Sequence, residues 1–342
     1  MNNVEEMRRS LLAIPKVELH CHLELAIRHN TLREFATAKG FDVGSPGALE
    51  EAFLIQQPMG ELPSVLHKFL NTRDLLDSTA CMERVAFEVC EDMYKDSNVR
   101  VLELRYAPSF LLDKHVHLSP SDLQQAIIRG IRKAESMYPM VVGLICILQR
   151  TKSIEDNAQW VEFALQPKNE FIGLDLADNE VDFDPEPFIP FFRKAKSAGL
   201  GITVHAGEPL VPGISKNIRT AIEHMGADRI GHGLQSIHDP EVIDLLIQTG
   251  IPLELCPTSN WLTGACRDFK SHPFRNLFEC GVKTTVNTDD PGIMCTTLLR
   301  EYEQLQMHQG VTLEMFKMCN NWARQSSFIP KEKIQSVWDL PS

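Results

Sequence analysis

No stretch of this 342-residue chain approaches the roughly 20 consecutive apolar residues that cross a bilayer, so a membrane partner is not expected. Positive charge is also scarce: 34 Lys and Arg stand against 46 Asp and Glu, a formal net charge of −12. Non-specific affinity for a phosphate backbone comes mainly from Lys and Arg that displace counterions, so nucleic acid is not an expected partner either. The nine cysteines, at 21, 81, 90, 146, 256, 266, 280, 295 and 319, are odd in number and include no C-x-x-C pair. That distribution fits reduced thiols better than a disulfide framework. The N-terminal MNNVEEMRRSLLAIP sets two Glu ahead of a very short apolar run, unlike a signal peptide, and a cytoplasmic location is the expectation. There is no Pro/Gly/Ser-rich linker, charge block or low-complexity tract, which leaves residues 1–342 as one expected domain.

What the chain does contain is a repeated pattern. Eight short apolar, β-branched runs recur: VELHC (17–21), VLELRYAP (101–108), VVGLICIL (141–148), FIGLDLA (171–177), GITVHAG (201–207), RIGHG (229–233), PLELCPTS (252–259) and KTTVNTDDPG (283–292). Stretches such as PFIPFFRKAKSAG and PEVIDLLIQTG lie between them, with apolar residues at helical spacing and a closing Gly. Strand and helix alternating eight times predict a (β/α)8 barrel; a doubly wound open sheet, which normally has fewer strands, is the alternative. The interval from His20 to Arg105 is far longer than one βα repeat, so the first connection carries a helical insertion of the kind that often forms a lid.

Polar residues gather at the predicted C-terminal ends of these strands, where barrel enzymes place their active sites. Strand one ends in His20-Cys21-His22, strand five in His205-Ala206-Gly207-Glu208, strand six in Gly231-His232-Gly233 and strand eight in Thr288-Asp289-Asp290. The period of two along a strand puts His20 and His22 on one face, able to converge on one metal. With His205 and Asp289 the set becomes three imidazoles and a carboxylate, which suits zinc with room for a water. Glu208 would stand beside the metal as general acid and base, His232 would orient the attacking hydroxide, and Asp290 would accept a substrate hydrogen bond. A hydrolytic site is the expectation. The second H-x-H, His115-Val116-His117, falls in a loop ahead of a helix capped by Ser119 or Ser121 and is not expected to be a site. FIGLDLA has no Lys to bridge a metal pair, so one metal per chain is expected. The H-x-E/P-C-x-x-C zinc deaminase pattern is missing, which rules out that other deaminase fold, and with neither a P-loop nor a G-x-G-x-x-G fingerprint nucleotide cofactors are not indicated.

Taken in order, PKVELHCHLE, LELRYAP, GLDLADNE, VHAGE, RIGHG, CPTSN and NTDDPG resemble the adenosine deaminase family of the amidohydrolase superfamily, from about Pro15 to the end of the last strand. The resemblance implies a mononuclear zinc barrel that hydrolyses the exocyclic amine of a purine nucleoside. It implies His20, His22, His205 and Asp289 as zinc ligands and Glu208 as the residue that protonates the ring nitrogen beside the attacked carbon. By the same resemblance His232 holds the attacking hydroxide, and Asp290 bonds the imidazole side of the purine. Substrate contacts are implied for His22, Glu24, Leu25, Asp178 and Asp290, and for a hydrophobic gate in LPSVLHKFLNT made of Leu62, Val65, Leu66 and Phe69.

Two positions depart from the family pattern. Glu24-Leu25 replaces the usual Asp-Gly; the resulting HCHLxL looks like malaria-parasite deaminases, a subgroup that tolerates 5′-methylthio substitution, and Leu25 is open to a packing role as well. Asp178 stands where the family has a Gly whose N–H approaches the purine, and Gly alone tolerates positive φ cheaply. The expected substrates are therefore adenosine and 2′-deoxyadenosine, with 5′-modified adenosines also tolerated. Adenine or another 6-aminopurine such as aminodeoxyfutalosine is the alternative, and an inactive binding or signalling protein is a third possibility.

Overall fold

The computed structural model describes residues 2–58, 62–338 and 340, with the side chains of residues 2–4 and 62–65 outside the description. Eight parallel strands follow one another around a single sheet: β1 (Lys16–His22), β2 (Val99–Tyr106), β3 (Val141–Gln149), β4 (Phe171–Ala177), β5 (Gly201–Ala206), β6 (Arg229–His232), β7 (Leu253–Leu255) and β8 (Thr284–Val286). Past the end of β8 the chain bridges back to β1. The His22 N–H donates to the Asp289 carbonyl at 2.8 Å and the Asp289 N–H to the His20 carbonyl at 2.9 Å, which closes the (β/α)8 barrel. Helices lie between the strands and cover the outside of the barrel.

The last strands are shorter than their sequence runs. In PLELCPTS, Pro257 lacks the N–H that a strand ladder needs and instead opens the helix Pro257–Leu262, so β7 stops at Leu255. In KTTVNTDDPG only Thr284–Val286 is strand, and Asp289 bends into the left-handed region at φ 67°. The first connection holds the expected insertion, with helices His29–Ala38, Ala48–Phe53, Leu62–Leu75 and Thr79–Ser97.

Alternation along the strands separates two environments. Leu102, Leu104 and Tyr106 of β2 face the apolar layer under the helices, whereas Glu103 and Arg105 point into the barrel. The barrel interior is charged: Glu103, Arg105, Asp175, Arg229 and Glu254 are all fully buried there. Burying charge is tolerable only when each group is paired and hydrogen-bonded, and these are. The Arg229 Nε donates to Glu254 Oε1 at 2.5 Å and its Nη2 to Glu103 Oε2 at 2.6 Å.

The chain near its C-terminus seals the far mouth. Between helices Leu313–Ser326 and Lys331–Trp338, the Ser327 hydroxyl and the Phe328 N–H both donate to Glu103 Oε1, at 2.7 and 2.6 Å. The Phe328 ring lies 3.6 Å from the Arg229 guanidinium carbon. It fits only because β4 and β5 offer glycines; a Cβ on Gly201 would sit 2.3 Å from the ring. Phe328→Ala is therefore expected to cost roughly 2–4 kcal/mol of stability, from lost packing and lost cation–π attraction. Urea unfolding checks this, and a midpoint unchanged from the parent protein would show that the ring is dispensable.

Candidate active site

Four of the eight strand tops contribute side chains to one cluster. His20 and His22 come from β1, His205 from the end of β5, His232 from the end of β6, and Asp289 and Asp290 from the loop after β8. Ring centres of His20 and His205 are 4.5 Å apart, and that of His232 lies 4.8 Å from His20 and 5.2 Å from His205. Such closeness needs Gly231: a Cβ there would stand 3.1 Å from His20 Cε1 and 3.1 Å from His205 Cα. His232 and Asp289 both hold positive φ, 59° and 67°, so strained backbone turns their side chains inward.

The imidazoles of His20 and His205 are oriented from below. His20 Nδ1 is 2.8 Å from Glu254 Oε2, and His205 Nδ1 is 3.1 Å from Asp175 Oδ1. Arg105 grips both carboxylates, donating to Asp175 Oδ2 and to Glu254 Oε2 at 2.8 Å each. Burial raises the carboxylates, but the surrounding charges outweigh it: Arg105 and Arg229 hold Glu254 well below the usual range, and His205 and Arg105 do the same for Asp175. Two ionised carboxylates at Nδ1 leave the Nε2 lone pairs of His20 and His205 facing the cluster. Burial pushes His205 down to about 3, and burial with the Arg105 charge also lowers His20.

The fit to a cation can be read from one atom. His20 Nε2 is buried with no hydrogen-bond partner, yet it lies 3.2 Å from Asp289 Oδ1. His22 Nε2 is 3.2 Å from the same oxygen. At His20, a lone pair that faces a carboxylate oxygen with no hydrogen between them is the arrangement that suits a metal ion. One donor atom from each of His20, His205, His232 and Asp289 lies within 4.8 Å of every other, and His22, Asp289 and Asp290 form a second such group. Three members of the expected quartet, His20, His205 and Asp289, fall in the first group with His232, and the fourth, His22, falls in the second, joined to the first through Asp289. Burial pulls His22 down, but its bond to Asp289 and the charge of Asp290 carry it to about 9; a cation on that oxygen would replace the proton.

Around this core, Glu208 is partly open. Its Oε1 accepts from Asn260 Nδ2 at 3.2 Å and from the Thr263 hydroxyl at 3.1 Å, while Oε2 is 3.6 Å from His232 Nε2. Asp290 and Glu24 are buried, and each keeps one unpartnered oxygen: Oδ1 of Asp290 and Oε2 of Glu24. Burial first, then the charge of Asp289, pushes Asp290 well above the usual carboxylate range. Burial raises Glu24 as well, against the pull of His22.

Leu25 is buried with Ile55, Leu262, Ile293 and Met294, and Phe69 of helix Leu62–Leu75 packs against that cluster. Leu66 is exposed, and the side chains of Leu62 and Val65 lie outside the described residues. Asp178 takes φ 82°, the conformation a glycine would adopt. Its carboxylate bonds the Thr151 hydroxyl, Gln149 Nε2 and the Asn179 N–H. The other H-x-H is a clasp: His115 and His117 bond the Arg73 and Asp77 carbonyls at 2.9 Å each, tying the end of the helical insertion to the loop after β2.

Several contributing residues carry no role in the sequence reading. Glu254, Asp175 and Arg105 were detectable as isolated charges in apolar strands, a sign of an inward barrel face. Glu180, the last residue of GLDLADNE, receives the N–H groups of Gly207 and Glu208 at 2.7 and 3.1 Å and so sets the end of β5. Ser259 donates to Asp289 Oδ2 at 2.6 Å. Asn260 closes the CPTSN motif without a role being read for it, and His272 has no comparable signal.

Comparison with known proteins gives a consistent picture. The sequence model described as "Adenosine deaminase" matches residues 15–340. Adenosine deaminase of Plasmodium falciparum is 34% identical over 335 residues, covering 95% of this chain and 89% of that protein. The Clostridium perfringens adenosine deaminase is also 34% identical, covering 94% of this chain and 96% of its own length. Among solved structures, an amidohydrolase with bound zinc from Burkholderia ambifaria superposes with a TM-score of 0.85 at 27% identity, covering 97% and 91% of the two chains. The N6-methyl-AMP deaminase of Arabidopsis thaliana gives 0.82 at 27% identity, covering 96% of each.

Glu254→Gln keeps the shape of the His20 partner and removes its charge. It is expected to weaken zinc affinity about 10- to 100-fold, the usual effect of losing a carboxylate behind a ligating histidine. Competition with a zinc-chelating dye measures it; unchanged affinity would mean that Glu254 serves only the barrel interior.

Proposed function

Because this chain belongs to the adenosine deaminase family, metal-dependent hydrolases of carbon–nitrogen bonds in cyclic amidines, we propose that it hydrolyses adenosine and 2′-deoxyadenosine to inosine and 2′-deoxyinosine. Water adds at the carbon bearing the exocyclic amine, and that amine leaves as ammonia. The observation that carries the proposal is the crowding of His20 Nε2 and His22 Nε2 on one Asp289 oxygen beside the open carboxylate of Glu208.

His20, His22, His205 and Asp289 would hold one Zn2+ per chain. When bound, zinc lowers the pKa of a coordinated water toward about 7 and so makes a nucleophile available at neutral pH. Glu208 protonates the ring nitrogen next to the attacked carbon, which makes that carbon electrophilic. His232 orients the attacking water, and Asp290 bonds the imidazole side of the purine. Delivering nucleophile, proton and orientation together is what lowers the barrier. The unpartnered Glu24 Oε2 is available to a ribose hydroxyl. Glu24, Glu208, Asp289 and Asp290 together favour a neutral nucleoside over a phosphorylated one. Leu25 acts by packing against the helix that carries Phe69, and that apolar contact is what would admit a 5′-methylthio group.

Ammonia release by zinc-loaded protein across adenosine, 2′-deoxyadenosine, 5′-methylthioadenosine, adenine, aminodeoxyfutalosine and N6-methyl-AMP tests the substrate. Preference for adenosine is expected, and turnover confined to adenine or a nucleotide would reject it. Glu208→Gln should lose about 100- to 10,000-fold in kcat with zinc content intact. Full activity in that variant would remove Glu208 from the acid role.

A further inference from the structure

Resting on the deaminase reading above, we infer that Asn260 and His272, neither of them in contact with the metal ligands' cluster centre, form a positioning relay that fixes which nitrogen of His232 carries the proton. Two backbone N–H groups along this relay are donors of certain identity. The Phe274 N–H, at the start of helix Phe274–Glu279, points at His272 Nδ1 at 3.1 Å. A backbone N–H can only donate, so His272 Nδ1 is an acceptor and, in the neutral ring, Nε2 carries the hydrogen. His272 is buried, and burial holds its pKa down to about 3, so the ring stays neutral.

His272 Nε2 lies 3.1 Å from Asn260 Oδ1. The Cys256 N–H, a second unambiguous donor, reaches the same oxygen at 3.2 Å. Two donors on one side settle the amide orientation, which geometry alone leaves open because O and N look alike. Asn260 Nδ2 must then point the other way. It stands 3.0 Å from His232 Nδ1 and 3.2 Å from Glu208 Oε1, one hydrogen for each. His232 Nδ1 is therefore the acceptor and its Nε2 bears the hydrogen, 3.6 Å from Glu208 Oε2 and 3.9 Å from Asp289 Oδ2.

Two consequences follow for the site. An Nε2 that carries hydrogen has no lone pair for a cation, so His232 is kept out of the ligand set despite its central place, and His22 supplies the third imidazole. The same amide also holds Glu208 beside His232, so the acid and the water-orienting histidine are aimed by one side chain. Asn260 is completely buried, as such a fixed part must be.

The test reads the tautomer itself. 15N spectra of histidine-labelled, zinc-loaded protein, with His232 assigned from its loss in His232→Gln, should show the proton on Nε2. Asn260→Asp replaces the donor with an oxygen and should move that proton to Nδ1. Its kcat should fall on the order of 100-fold or more, the scale of a misplaced proton at an acid–base histidine, while KM stays within about three-fold and zinc content is unchanged. His272→Gln, whose amide can still donate to Asn260 Oδ1, should retain the parent tautomer and most of the activity, whereas His272→Phe should not. A parent protein with the proton on Nδ1 would overturn the relay without any variant having to fold. So would an Asn260→Asp protein whose His232 tautomer is unaltered, or whose loss lies in zinc content or KM. The spectra need no turnover, so they decide the relay even for a chain inactive on every purine tried.

Discussion

The site hangs on one carboxylate, Glu254, held inside the barrel by two arginines. Arg105 and Arg229 bind its two oxygens, and His20 Nδ1 shares the oxygen that Arg105 holds. Isolated charges at such depth would be expelled or neutralised, at a cost of several kcal/mol each. Here the pairs interlock: Arg105 also binds Asp175, Arg229 also binds Glu103, and Glu103 receives the Ser327 and Phe328 groups that close the barrel floor. Removing a partner from a buried pair typically costs about 3–5 kcal/mol, so each member constrains the others. The network links the sealed end of the barrel to the imidazoles at its open end. Its functional product is directional: ionised carboxylates below oblige His20 and His205 to present Nε2 above.

A second layer of constraint acts at the rim, where the strands end early and the backbone turns sharply. His232 and Asp289 occupy the left-handed region, which costs of order 1–3 kcal/mol for a residue with a side chain. Neighbouring hydrogen bonds hold them there. Ser259 and the bridge to β1 fix Asp289, Asn260 fixes His232, and Glu180 gathers the two N–H groups that precede the Glu208 side chain. Two of the strained residues are thus ones that face the cluster, and the regular barrel below supplies the rigidity.

Much of this is legible in the sequence, for a definable reason. Period-two alternation in VELHCH and VLELRY identifies both strand and inward face, so His20, His22 and the ends of the first strands can be placed without coordinates. TDDPG and RIGHG announce themselves through turn residues beside titratable ones. Less legible is where a strand stops: β7 and β8 end in the middle of apolar or β-branched runs, because Pro257 opens a helix and the loop after β8 turns toward β1. Asp178 shows the opposite limit. Its type suggests a clash with the glycine-like geometry of the family, yet it adopts φ 82° with its carboxylate bonded toward the β3 loop, which only the fold reveals. The coupling of Asn260, at the end of CPTSN, to His272 could not be found from pattern, because a hydrogen-bond relay across a helix and a loop leaves no periodicity.

The charge balance of the open end explains why a dication belongs there. Asp289, Asp290 and Glu24 are buried there beside the partly open Glu208, and Arg105 and Arg229 are spent on the carboxylates beneath. Burial and the charge of Asp289 push Asp290 upward, burial pushes Glu24 upward, and, against burial, the bond to Asp289 with the charge of Asp290 carries His22 to about 9. A divalent ion held at Asp289 would take the place of the proton on His22 and would lower the cost of ionising Asp290. Metal binding would then be coupled to proton release from this cluster, because the same lone pairs and carboxylate oxygens serve both.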